Sequence, residues 1–212
     1  MDWYKDTLTP RVSNIVEFVF PFEGEDKRRY ADWCIKNWFT DEEYLKQAQD
    51  IGTLVHESLE EWIDNKKDVD VWRWGDWKEW GKKWLEEQKE EFNTEQYVRC
   101  GSLYQWTCDL YNEEELILAD WKTWEVAKKV FNIKIKPLHK NGKPPKPTSR
   151  LKKVQLQMSL YAYAINKDKY EEFTLKALWL REEGCFEYVL KPIPREELIQ
   201  IIKDFYKLRH LD

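Results

Sequence analysis

The stretch Cys108-Asp-Leu-Tyr-Asn-Glu-Glu-Glu-Leu-Ile-Leu-Ala-Asp-Trp-Lys122 decides how the rest of the chain is read. Two short apolar runs, Trp106–Tyr111 and Leu116–Ala119, flank an acidic turn containing Asn112, the pattern of two strands joined as a hairpin. The first run ends near Asp109, and the second leads into Asp120-Trp121-Lys122. Strand residues two apart share a face, so Asp120 and Lys122 are expected to point the same way. Two carboxylates on neighbouring strands with a lysine beside them suit a divalent-cation phosphodiester site. Oxygen donors hold a hard cation, and an ammonium stands where a water loses a proton.

Working outward, one domain is expected over residues 1–212. Its organisation is a mainly helical portion at 1–93, then a strand-bearing core at 94–212 with a basic loop at 126–153. The formal charge is −5, yet no Asp or Glu occurs between Glu125 and Asp168, where Lys128, Lys134, Lys143, Arg150 and Lys153 are among the cations. Such asymmetry suits a polyanion-facing surface, and a solvated basic loop accounts for it equally well. His139 to Ser149 holds Gly142, Pro144, Pro145 and Pro147 and reads as a substrate-contacting loop. Truncating it should weaken DNA binding and flatten its salt dependence. Unchanged binding across a salt titration would refute the assignment.

The four cysteines have no C-x-x-C spacing, which fits a reduced, cytoplasmic protein. The N-terminus lacks an apolar signal core and no run approaches membrane length, so no membrane association is expected. Among the 13 tryptophans, Trp72, Trp74, Trp77, Trp80 and Trp84 crowd one charged stretch. They serve either as packing or as a platform for single-stranded bases.

Other elements follow from local pattern. Val12–Phe20 reads as an extended segment ending at Pro21, and Asp26–Phe39 as a helix. Asp41 suits the start of a helix on which Gly52, His56, Leu59 and Ile63 share a face. An inward histidine there is either a satisfied core residue or a third ligand beside two carboxylates. Trp74–Phe92 is a further helix, Tyr97–Cys100 a strand broken by Gly101, and Phe131–Lys136 a short strand. Arg150–Ile165 is an amphipathic helix on which Gln157 and Tyr161 stack four apart. Phe173–Leu180 and Phe186–Leu190 form a second hairpin, and a helix with Leu198, Ile201, Ile202 and Phe205 inward closes the chain. The expected fold is α/β (α+β), a central mixed β-sheet flanked by helices with an N-terminal helical portion.

In their order, His56, Asp109, Asp120-Trp121-Lys122 and Gln157-x-x-x-Tyr161 resemble the PD-(D/E)xK nuclease superfamily, specifically its RecB-like branch. That branch includes recombination exonuclease domains, CRISPR-associated adaptation nucleases, and viral and mitochondrial single-strand exonucleases. Leu8 to Leu190 is covered by order of elements. The triplet is weak alone, Gly52-Thr-Leu-Val-His56 is moderately specific, and Gln157-Met-Ser-Leu-Tyr161 matches the family's helix well. The chain departs from the family at Trp106, where members often carry glycine.

The resemblance implies a restriction-endonuclease-like core and a metal-dependent DNA nuclease. The activity would be that of an exonuclease on single strands or DNA ends, in recombination, replication, CRISPR adaptation or viral genome processing. It assigns His56, Asp109, Asp120 and the Trp121 carbonyl to Mg²⁺ or Mn²⁺. Lys122 would orient or activate the attacking water, Gln157 would hold Lys122 or the substrate, and Tyr161 would brace the helix or contact DNA. Gln155 competes for the glutamine role, and Glu57 and Glu95 fall near the ligands, though solvated carboxylates account for both. Only Cys185 lies late in the chain, so no iron–sulfur cluster is expected. A protein partner in a recombination or replication complex fits the same reading. The alternatives are a DNA-end-binding accessory protein with a vestigial site and a tryptophan-rich protein-interaction module.

Overall fold

The computed structural model describes residues 9–21, 41–67, 69, 75–123, 149–181 and 184–209. Within these, α1 (Val12–Val19), α2 (Asp41–Asn65) and α3 (Gly75–Glu87) precede three strands, β1 (Asn93–Cys100), β2 (Tyr104–Asn112) and β3 (Ile117–Thr123). Helix α4 (Ser149–Ile165), a short 3₁₀ turn at Tyr170–Glu172, β4 (Thr174–Arg181), β5 (Gly184–Leu190) and α5 (Arg195–Arg209) follow. The helix expected over Asp26–Phe39, the strand at Phe131–Lys136 and the loop at His139–Thr148 lie outside the described residues.

The strands form one sheet in the order β1-β2-β3-β4-β5. Among the described strands β3 and β4 pair in parallel, while β1–β2, β2–β3 and β4–β5 are antiparallel. This is a mixed sheet flanked by helices, the α/β arrangement expected. Gly101, at φ +56, makes the tight turn from β1 to β2, a backbone region that a Cβ disfavours.

Two apolar clusters pack on the sheet. One joins Val12 and Ile15 of α1, Leu156, Met158 and Leu160 of α4, and Leu198 and Ile202 of α5. The other joins Val55 and Leu59 of α2 with Trp77 and Trp84 of α3 and Ala119, Trp121 and Leu178 of the strands. Trp77 and Trp84 are therefore packing residues, with Trp80 partly buried against them. Trp72 and Trp74 lie outside the described residues. Close α2–α3 packing depends on Gly81, where an added Cβ would lie 2.8 Å from both methyl carbons of the buried Leu59. Gly81→Ala gains about 1 kcal/mol of helix propensity. It loses about 1–3 kcal/mol to overpacking, because Leu59 is fully buried and its methyl groups must shift within the core. The expected net is a loss on the order of 1 kcal/mol, read as a fall of about 3 °C in Tm.

The first element departs from the sequence reading. Val12–Val19 is a helix because Val12, Ile15, Val16 and Val19 fall at helical spacing onto the core. The Asn14 side chain also accepts the Arg11 N–H at 2.9 Å, closing the first turn. The extended segment expected there gives way to helix because tertiary burial overrides the weak local preference of its β-branched residues. Just before α1, the Gln105 N–H of β2 donates to the Pro10 carbonyl at 3.0 Å and Arg11 bridges Gln105. The leader of α1 thus lies along the end of β2 that β3 does not cover. Helix α4 is more enclosed than an amphipathic surface helix, with Leu151, Val154, Leu156, Met158, Leu160, Tyr161 and Ala162 all buried. Among the described residues no helix is long and apolar enough to cross a membrane.

Candidate active site

The site begins where the β2–β3 ladder ends. The last registered pair is Leu110 with Ala119, so Asp109 and Asp120 are the next residues on the two strands. Strand β3 continues paired to β4 through Asp120–Ala177, Trp121–Leu178 and Lys122–Trp179. The Trp121 N–H instead donates to the Asp109 carboxylate Oδ2 at 2.8 Å. A side chain here satisfies a backbone donor that strand pairing leaves open. The Trp121 ring packs edge-on against Trp84, at 5.6 Å between centroids, on the α2–α3 side. By strand alternation Asp120 and Lys122 face the opposite side. Their side chains form an ion pair there, with Asp120 only 2% exposed.

Two helices close over this floor. His56 of α2 places Nδ1 3.4 Å from Asp109 Oδ2. The helix comes this near because Gly52, one turn earlier, faces Thr123; a Cβ there would stand 3.2 Å from the threonine Oγ1. From α4, the Gln157 amide donates to Asp120 Oδ1 at 3.2 Å and to the Tyr161 hydroxyl at 2.7 Å. Both amide hydrogens are thereby used, and the buried tyrosine fixes the orientation of the glutamine that holds Asp120.

The electrostatics follow from burial of like charges. Burial pushes the Asp109 carboxyl up, but His56, Lys122 and the Trp121 N–H outweigh it and leave it below the ordinary carboxylate range. Burial works against a charged His56, yet the charge and hydrogen bond of Asp109 leave the imidazole above its ordinary value. Asp120 is pushed up to about 6, by burial first and then by the Asp109 charge, with Lys122 only partly offsetting both. Glu95 is pushed up to about 7, again by burial and then by Asp109. Its backbone φ of +46 marks a break in β1, whose registered pairs skip from Thr94–Leu110 to Gln96–Cys108. Glu95 thus falls across from Asp109 in the register, on an exposed position of β1.

His56, Asp109, Asp120, Trp121, Lys122, Gln157 and Tyr161 are therefore brought together from α2, β2, β3 and α4. Gln155 is not among them, because its amide donates to the Lys191 carbonyl at 2.8 Å. Glu57 is exposed and lines a separate hollow with Glu60, Glu61 and Asp64. Among the described residues, no three His, Cys, Asp or Glu groups are placed to hold one ion together. Each Asp120 oxygen faces a side-chain donor, and Asp109 Oδ2 faces His56 and Trp121. Sequence reasoning did not reach a cavity of about 610 Å³ that opens beside Lys122 and is walled by α1 and α4. No local pattern announces it, since its walls meet only in the folded chain.

No protein-family model matches the chain, and no curated protein matches it in sequence. Among solved structures it aligns with one described as "Crystal structure of SSO0001". The identity is 13%, over 97% of this chain and 79% of that one, with a TM-score of 0.42. A likeness at that level bears on neither fold nor chemistry.

Proposed function

We propose that the protein is a Mg²⁺- or Mn²⁺-dependent deoxyribonuclease of the RecB-like PD-(D/E)xK type, acting as an exonuclease on single strands or DNA ends. The observation that carries this reading is the meeting of His56, two carboxylates, a lysine and the Gln157–Tyr161 pair at one strand end.

In chemical type the donor set suits a divalent cation, although its three side chains do not converge on one point in this structure. It offers one imidazole nitrogen and two carboxylates whose mutual repulsion a cation relieves, with the Trp121 carbonyl as a further oxygen. Such a cation, when bound, acidifies a water and neutralises charge on the phosphate. The chain's own groups do the rest. Asp109 orients His56 and holds the Trp121 peptide. Gln157, steadied by Tyr161, fixes Asp120 through Oδ1, which leaves Oδ2 facing the Lys122 ammonium. Lys122 is thereby held beside the ligands, where it can orient a water and meet charge growing on the scissile phosphate. The Lys122–Asp120 ion pair keeps the lysine in reach of the site, and a cation held by Asp120 would share Oδ2 with that ammonium.

The test is incubation of purified protein with end-labelled single- and double-stranded DNA, with Mg²⁺, Mn²⁺ or chelator. Cation-dependent release of short products is expected. Binding without cleavage would remove the catalytic reading and leave a DNA-end-binding protein.

A further inference from the structure

The cavity beside Lys122 is built from two helical stripes. Ser13, Val16 and Glu17 of α1 and Phe20 at its C-terminal cap recur at intervals of three, one and three, so one face of that short helix lines one wall. Lys153, Val154, Gln157 and Tyr161 of α4 line the facing wall in the same way. Pro21, Trp106 of β2 and Lys122 of β3 complete the lining. Its volume, about 610 Å³, lies within the range of roughly 300–1,000 Å³ common to small-ligand sites.

The lining is asymmetric in a way that matches one chemistry. Val16, Phe20, Trp106 and Val154 offer apolar and aromatic surface, suited to a flat unsaturated ring. Lys122 and Lys153 put two cations beside it, suited to phosphate. Glu17 and Ser13, on the α1 wall, supply acceptors for the amino and N–H groups on a ring edge. A purely apolar partner would leave Lys153 and Glu17 unanswered, and would not draw on Lys122, which rests against Asp120. A free phosphate would leave the aromatic wall unused. The Arg11 guanidinium lies 5.4 Å from the Trp106 ring centroid, so a further cation stands against that ring.

We propose that this cavity seats a single unstacked nucleobase of the strand being cut, with its phosphate at Lys122 and Lys153. The inference rests on the nuclease reading and extends it to the substrate. A base in a duplex is stacked and paired and must leave both to enter the cavity, so the site selects single strands and frayed ends. Shape and the aromatic wall, rather than a set of directed donors, dominate recognition, so base identity matters less than the presence of a base.

The test uses single-stranded oligonucleotides with one abasic residue moved stepwise along the strand. Binding is read by fluorescence anisotropy in chelator and cleavage by single-turnover kinetics in Mn²⁺. In the unaltered protein, one position beside the cut should show about a tenfold loss in affinity and rate when its base is missing. Ser13→Trp, which adds bulk to the α1 wall and leaves the Lys122 side chain unaltered in sequence, should bind the intact strand about tenfold more weakly and become indifferent to the abasic residue at that position. A thermal melt of the variant shows whether it has folded, and the abasic series on the unaltered protein needs no variant. Cleavage with no position-dependent penalty would overturn the cavity assignment and leave the nuclease reading standing. A penalty in binding without any cleavage would do the reverse. A full penalty persisting in folded Ser13→Trp would place the base elsewhere and overturn the assignment, and absence of DNA binding would overturn both.

Discussion

Lys122→Ala is expected to slow Mn²⁺-dependent cleavage of single-stranded DNA by about 10²–10³-fold, the usual effect of deleting one positioned charge-stabilising donor. Strand affinity should change far less, since Lys122 is only one of the cations around the cavity. Lys122→Met, which keeps the stem and removes the charge, should lose as much rate as the alanine variant. The two variants together separate charge from packing. Gln157→Ala should fall between, because it frees Asp120 Oδ1 and the Tyr161 hydroxyl without removing a reacting group. Its loss should lie in kcat rather than KM, as expected of a residue that acts through Asp120 and Lys122. Full activity of Lys122→Ala would sink the proposed role.

How much of this was legible depended on whether the deciding contacts were local. The β2–β3 hairpin could be read because its apolar runs alternate around an acidic turn, and Asp120 and Lys122 share a face by strand geometry alone. The Gln157–Tyr161 bond could be read because residues four apart on a helix are neighbours whatever surrounds them. By contrast, α1 was misassigned because its valines and isoleucine favour strands, while its helix is set by a core the sequence does not display. The end of α3 was also placed late, at Phe92 rather than Glu87. No glycine marks that stop. The Gln88 N–H donates to the Leu85 carbonyl and its side-chain amide to the Trp84 carbonyl, and together they close the last turn. His56 could be placed on an inward face but not against Asp109, because that contact depends on α2 closing onto β3 over Gly52.

The second large effect is on stability and runs opposite to activity. Burial and the Asp109 charge push the Asp120 carboxyl from its ordinary 3.8 up to about 6, so the folded state holds that proton more tightly than the unfolded chain does. The sign of the linkage follows. Stability from this group is fully present below about pH 4 and is lost as pH rises through about 6, leaving a buried charge with a net cost at neutral pH. Asp120→Asn mimics the protonated form in shape and can still accept from Gln157. In chelator at neutral pH it should therefore be more stable than the unaltered protein by on the order of 2 kcal/mol, about 4–8 °C in Tm. The difference should shrink towards zero near pH 4, where the aspartate is already neutral. Millimolar Mn²⁺ should raise the Tm of the unaltered protein and leave that of Asp120→Asn nearly unchanged, because the variant lacks the charge that a cation relieves. Cleavage by the variant should be lost to the extent seen for Lys122→Ala. A variant that is inactive yet more stable would show that the carboxylate is kept at a cost to the fold for the sake of the site. A variant destabilised at every pH would instead show that the Lys122 ion pair outweighs the repulsion, and that the charges of this site hold the fold together.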